Sequence, residues 1–576
     1  MKRPTLVMLL LGMFAANVFS TWTADAQTEQ ERIIAKIENL GGRVRIDEPD
    51  SQNPAISLSL STGAYVGDDD LHILRELRNL QALRLDSVKV TDAGLRHLQG
   101  LTNLKKLILG CTYVTDAGMQ HLTGLGNLEH LELSAGISGP GLANLAKLPK
   151  LRSLKLYGAL PFRRYHLTDQ SLEHLKGMAS LRELDLWSHA ITDAGLSHLS
   201  GMTKLESLRI HRSKVVGHGL KHLHGLPELR CLQLWNAQVT DTGAARLGGL
   251  TKLTELGLCG CTVSDAGLEH LQNLGELETL VLSQSKITDV SLERLKVLSN
   301  LRHLDIGFTR ITDVGLRHLS GLTRLEDLDI GGNGISDAGL VHLAGLRELK
   351  NIDLHNTRIR GPGLRYLKGL RKLRQLDLRW TKVDDAGLEH LQGLTSLEEL
   401  RLWVAPVTDV GLEHLKGLAK LKKLHLAGTQ VTDAGLAHVA ELTELTDLDL
   451  LETRVTDNGT EFLKSLSKLT KLNLAANSVT DAGLMHLQGL TNLKSLNLDS
   501  TKITDAGLIY LQDLKKLEYL NLVETRISDA GLPRLTGLSH LKEVRLGGTL
   551  VSDAGERYLA KALPGTDVGW LSSPPP

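Results

Sequence analysis

Along most of this chain the apolar positions follow one pattern. Leu493, Leu496 and Leu498 enclose the polar residues Lys494, Ser495 and Asn497; the alternation at the end of this run predicts a short strand with one buried face. Thr501 comes next, at a position elsewhere held by Thr112, Cys261, Asn333, Thr357, Asn477 or Thr549, small groups able to hydrogen-bond backbone where the chain leaves a sheet. A corner follows. Thr504 is placed to cap a helix, Asp505 lies in the first turn where the helix dipole favours a carboxylate, and Leu508 and Leu511 share an inward face. Glycines such as Gly489 and Gly537 read as the C-caps that end such helices.

The pattern is a repeat. The Thr/Ser-Asp-x-Gly corner returns every 24 residues from Thr168 to Ser552, and Val479 to Lys502 is a representative unit. One such unit cannot bury its leucines, but stacked units share a continuous core, which lets more than 500 residues form one domain. The run Leu-x-x-Leu-x-Leu with its Thr, Asn or Cys position resembles the leucine-rich repeat family across residues 58 to 560. The Asp-Ala-Gly-Leu corner is similar to the cysteine-containing and related 24-residue bacterial subclasses. The resemblance implies an α/β solenoid of about 20 repeats, a curved horseshoe with a parallel sheet on the concave face and short helices on the convex face.

Taken in order, residues 1–26 read as a secretory signal, with Lys2 and Arg3, an apolar run from Leu6 to Val18, and small residues at Ala24 and Ala26. The apolar run is short for a bilayer span, so no stable membrane insertion is expected after cleavage, and the mature chain is expected in the periplasm, the cell envelope or outside the cell. Residues 27–64 do not fit the repeat and read as an N-terminal cap with a helix from Glu31 to Leu40 and two strands, followed by a degenerate first corner at Gly67 to Leu71. The solenoid is assigned to 65–555, with an insertion at 159–166 that is basic and aromatic. Residues 556–571 read as a C-terminal cap, and 572–576 as a disordered tail. Capped ends argue for a monomer.

Charge changes the list of partners. The mature chain keeps 64 basic and 65 acidic side chains, so it lacks the basic footprint that phosphate binding needs, and nucleic acid is not expected. Four cysteines in an exported chain raise the question of disulfides, but their spacing on the repeat predicts none.

No catalytic motif is present, and no catalytic residue, metal ligand or cofactor is assigned. Twelve of the 23 histidines, His97, His121 and His390 among them, occupy one slot of the corner. Packed helices about 8 to 10 Å apart would hold them too far from each other to share a zinc ion. Tyr366, Tyr510 and Tyr558 fill the same slot, as an amphipathic packing side chain would.

The strand positions that point away from the core are more telling. At the seventh position of successive units stand Tyr157, Trp187, His211, Trp235 and Cys259, with Trp403 further on; Phe308 and Trp380 are eighth-position residues. Aromatics make up only 3% of the chain, yet of the five tryptophans after residue 26, four, Trp187, Trp235, Trp380 and Trp403, fall here and not in the core. Such a stripe is expected to bind a ligand on the concave face, since rings supply contact area at low entropic cost; stacking of the rings on one another is the alternative. At the fifth position Asp305, Asp329, Asp353 and Asp377 follow one another, with Asp327 beside them. This acidic patch could hold a basic partner segment or a calcium ion.

The sequence therefore reads as an exported, non-enzymatic recognition scaffold for a protein partner. The alternatives are a binder of glycan or envelope polysaccharide through the same rings, an envelope spacer, or an effector resembling ubiquitin-ligase adaptors. For the last of these, residues 28–64 supply no convincing recruitment module.

Overall fold

The computed structural model describes residues 32–38, 40–47, 55–60, 66–86, 88–110, 112–134, 136–157 and 167–569. Residues 1–26, read from the sequence as a signal, the insertion at 159–166 and residues 572–576, read as a tail, lie outside these residues. Two compact units are distinguished, the first ending at Leu277 and the second beginning at Glu278.

In the first unit a helix over 32–38 precedes β1 (Arg43–Asp47), which pairs antiparallel with β2 (Ala55–Leu60). From β2 onward every pairing is parallel: β3 (Leu80–Asp86), β4 (Lys106–Gly110), β5 (His130–Ser134), β6 (Ser153–Tyr157), β7 (Glu183–Trp187), β8 (Ser207–His211), β9 (Cys231–Gln233) and β10 (Glu255–Gly257). The second unit continues in the same manner through β11 (Thr279–Val281), β12 (His303–Asp305), β13 (Asp327–Asp329), β14 (Asn351–Asp353), β15 (Gln375–Asp377) and β16 (Glu399–Arg401). Further three-residue strands follow from Lys423–His425 to Asp567–Gly569. The register advances by one repeat per strand, so like positions face like positions, as with Leu304 and Leu328.

The apolar pattern becomes the core. In one coil Leu484, Leu487, Leu490, Leu493, Leu496, Leu498 and Ile503 are all completely buried. Each such side chain contributes about 1.5 to 3 kcal/mol relative to exposure, as an upper bound.

The convex corners are tighter than the sequence suggests, being short α or 3-10 turns such as Asp481–Met485 and Asp505–Leu511. Thr504 caps its turn by accepting from the Ala506 N–H, as expected. The corner aspartate has a different role. Asp481 accepts from the Thr504 N–H at 2.8 Å and the Thr504 hydroxyl at 2.6 Å, and Asp505 does the same for Ser528. The carboxylate therefore ties each corner to the next, and two orphan donors at a helix start are met by the preceding repeat. The corner glycine follows from this: a Cβ on Gly507 would overlap the Asp481 carboxylate. Three corners lack the aspartate. At Gly217 and Gly361, with φ of 115° and 135°, the preceding Asp193 and Asp337 instead each accept from three backbone N–H groups.

Three further expectations change. Gly489 and Gly537 do not take the left-handed conformation of a C-cap; Gly177, with φ of 93°, does. Thr501, Asn333 and Cys261 bond backbone carbonyls as expected, but the buried Thr112 hydroxyl has no partner among the described residues. The corners also approach far more closely than packed helices do, because glycine meets backbone there; a Cβ on Gly361 would sit 2.6 Å from the Gly387 Cα. Helix spacing therefore does not hold the convex histidines apart, although no three of them come together among the described residues. Cys231 and Cys261 are buried free thiols, Cys259 is a half-buried one, and Cys111 lies outside the described residues.

Candidate functional site

The strand face presents two different surfaces. In the first unit Tyr157, Trp187 and His211 end β6, β7 and β8, and the register sets each opposite the next. With Trp235 after β9 they form a continuous stack, with ring centroids 5.8, 4.6 and 5.1 Å apart. Parallel strands about 4.8 Å apart leave neighbouring rings little choice but contact. His211 is only 4% exposed and the two tryptophans are half-buried. The Trp187 and Trp235 indole N–H groups are buried without an acceptor among the described residues. Burial first, then the charges of Glu132 and Asp185, push the Tyr157 phenol up to about 12. The row anticipated as an exposed stripe is thus a packed layer that shows solvent only part of its rings.

In the second unit the seventh position is glycine at Gly307 and Gly331, and the surface opens. A cavity of about 190 Å³ is lined by Asp305, Asp327, Asp329, Asp353 and Asp377 with Glu399 and Arg401, over a floor that includes Leu304, Leu328, Ile352 and Leu376. The register places Asp305, Asp329, Asp353 and Asp377 directly across from one another in turn. Their surroundings differ. Asp305 accepts from the Ser283 hydroxyl and the Gly307 N–H. Asp327 pairs with His303 and takes the Asn351 amide. Asp377 is buried, which by itself would raise its pKa, but the Arg379 hydrogen bonds and charge and the Arg401 bond outweigh this and hold it below the ordinary carboxylate range.

Asp353 accepts from the His355 backbone N–H at 2.8 Å and from its Nδ1 at 2.6 Å. Asp329 accepts from the Gly331 N–H at 2.9 Å and forms no ion pair with any described residue. Burial, followed by the facing charges of Asp353 and then Asp305, raises its pKa to about 6. His355 was not among the site residues read from the sequence. Its contact with Asp353 was legible in principle, since two residues separated by one position on a strand share a face.

The eighth-position residues behave differently again. Every non-glycine residue with positive φ among the described residues stands at this position, Phe308 (52°) and Trp380 (59°) included. They lie past the three-residue strands, in a turn whose backbone remains tied to the next coil, as by Phe308 N–H to Gly331 O. The conformation lifts the side chain out of the sheet. Phe308 is 49% and Trp380 56% exposed, whereas Trp403, at a seventh position, is half-buried beside His425 and under Arg379. Phe308 also packs on His355, with centroids 5.2 Å apart.

A family model described as a leucine rich repeat matches residues 299–359 and 467–527, and a second model so described matches 177–200, 369–391 and 417–440. The chain is a leucine-rich repeat protein. Among solved structures, its repeats are similar to TLR13 in a complex with ssRNA13, at 18% identity and a TM-score of 0.50, covering 87% of this chain and 86% of that one. A leucine-rich repeat protein of Leptospira interrogans is 20% identical over 68% of this chain and 96% of its own, with a TM-score of 0.49. An internalin of Listeria monocytogenes is 24% identical over 63% and 97%, with a TM-score of 0.44. At these identities the likeness is one of fold. No curated protein matches the sequence. Among the described residues no helix is long and apolar enough to cross a membrane.

Proposed function

We propose that this leucine-rich repeat protein is an exported, non-enzymatic scaffold that holds a protein partner on its strand face. The observation that carries the reading is the exposure of Phe308 and Trp380, together with Val404 at 47%, on the strand face of the second unit. Large rings left half in solvent by a chain that buries nearly all its leucines are what an interface anchor looks like, and solenoids characteristically use the strand face for binding. The ring row of the first unit, whose members meet edge-on or tilted, adds partly covered aromatic surface rather than protruding anchors. The export signal of residues 1–26 supports placement outside the cytoplasm.

The test is capture of envelope and extracellular components by the chain from Gln27 to Pro576, beside a Phe308→Ala, Trp380→Ala variant and a Trp187→Ala, Trp235→Ala variant, each checked for folding. Retention of one protein by the parent and its loss from the first variant supports the reading. Displacement of the captured species by soluble sugar identifies a glycan ligand instead, and equal capture by all three chains refutes the strand face as the site.

A further inference from the structure

We infer that Asp329, Asp353 and His355 form a binding site for a divalent transition-metal ion of the zinc type, with water completing its coordination. One ligand atom from each of the three lies within 4.8 Å of the other two. Among the described residues no other group of three such donors is brought together, the convex histidines included. Ligands about 2.0 to 2.2 Å from a zinc ion lie at most about 4 Å apart. Side-chain movements of under about 1 Å therefore close the set.

Three features make the donors a built arrangement and not merely a row of acids. First, the imidazole is held: its backbone N–H and its Nδ1 both reach Asp353, and Phe308 packs on its ring. Second, the space for it depends on glycine. A Cβ on Gly331 would overlap the His355 ring, and one on Gly307 would lie 3.0 Å from the Asp329 carboxylate. Third, the parallel register confronts the chain with one problem at two neighbouring places and meets it differently. Asp377 has Arg379 and Arg401 beside it, while Asp329, between Asp305 and Asp353, forms no ion pair with a described side chain. A bound cation supplies that counter-charge.

The donor set also selects the ion. Calcium takes six to eight oxygen ligands, whereas a nitrogen donor with two carboxylates suits zinc and its neighbours. The calcium expectation rested on the aspartates alone; the imidazole that the fold places among them changes the class of metal.

The experiment is calorimetric titration of the full chain, dialysed against chelator, with zinc chloride, and in parallel with manganese and calcium chloride. The variants are Asp353→Asn, His355→Gln and, as a convex-face control, His390→Ala, with circular dichroism and thermal midpoints to verify folding. One equivalent of zinc is expected to bind the parent and the control alike. Since changing a group behind a metal ligand already weakens affinity about 10- to 100-fold, losing a ligand should weaken it by more than about 100-fold in both other variants. Raised thermal midpoints with zinc in the parent and control, but not in those two folded variants, are a second expected result. Absence of binding to the parent at millimolar zinc, undiminished binding to folded His355→Gln, or tighter binding of calcium than of zinc overturns the proposal.

Discussion

The stack of the first unit and the acidic cavity of the second occupy the same position of the same repeat. At the seventh residue one has Trp187, His211 and Trp235, and the other Gly307, Gly331 and His355. Filled with rings, the position closes on itself: His211 is 4% exposed, and each ring touches the next. Emptied by glycine, it exposes the fifth-position carboxylates and lets an imidazole swing among them. In a solenoid every side-chain choice is repeated across a 4.8 Å spacing, so a ring finds a ring and an acid finds an acid. Aromatic enrichment can thus mark local packing, while a pair of glycines can mark the place where polar chemistry gathers.

The largest effect should come from breaking the filled surface. Trp187→Ala with Trp235→Ala removes two half-buried rings from a continuous row and is expected to cost about 4 kcal/mol in urea unfolding, below the roughly 6 to 10 kcal/mol that two fully buried aromatics would cost. A loss below 1 kcal/mol would show that the rings stand free.

Closing the open surface should cost less. Gly331→Ala drives a methyl group into the His355 ring, so about 1 to 2 kcal/mol is expected, together with a changed imidazole NMR signal at fixed pH as the ring is pushed off Asp353. An unchanged imidazole would mean that the glycine has no part in shaping the cavity.

Asp329→Asn should act in the opposite direction. The carboxylate is desolvated, faces Asp353 and Asp305, and is ionised at neutral pH at a cost to the folded state, so its neutral isostere is expected to stabilise the chain by about 1 kcal/mol at pH 7.5. The same change at Asp377, which two arginines hold below the ordinary range, is expected to destabilise. Matching signs at the two positions would erase the distinction drawn between them.

The smallest effect is chemical and leaves the fold intact. Burial pushes the Cys231 thiol up to about 11 and the Cys261 thiol to about 12, so both remain protonated at pH 8. In a Cys111→Ser background the half-buried Cys259, next in the seventh-position row after Trp235, should react first with a maleimide, and the other two should remain unlabelled over the same interval. Equal labelling of all three would show that the core beside the stack opens on the timescale of the reaction.

Much of the architecture was legible because the repeat states it many times. The leucine period gave the strands and their buried face, and Thr504 announced its cap. The reason for the corner aspartate was not legible. A single repeat shows Asp505 at a helix start, where a dipole argument suffices, whereas its partners on Ser528 stand 23 residues away and meet it only after stacking. The same holds for Gly507, whose place in the corner is the clearance for the Asp481 carboxylate of the preceding repeat.

The sequence by itself determined the repeat length, the core and the positions that escape it, since these follow from the period of apolar residues and the geometry of one chain segment. Tertiary structure alone decided which escaped residues are exposed. Phe308 and Trp380 project because the eighth residue turns left-handed to keep its backbone bonded to the next coil. Trp187 and Trp235 are half-buried because the neighbouring coils also carry rings, which they meet at tilted and edge-on angles. Asp329, Asp353 and His355 become a group because parallel register brings residues 24 positions apart to within a few ångströms, a proximity that depends on how repeats stack and that the pattern within one repeat does not contain.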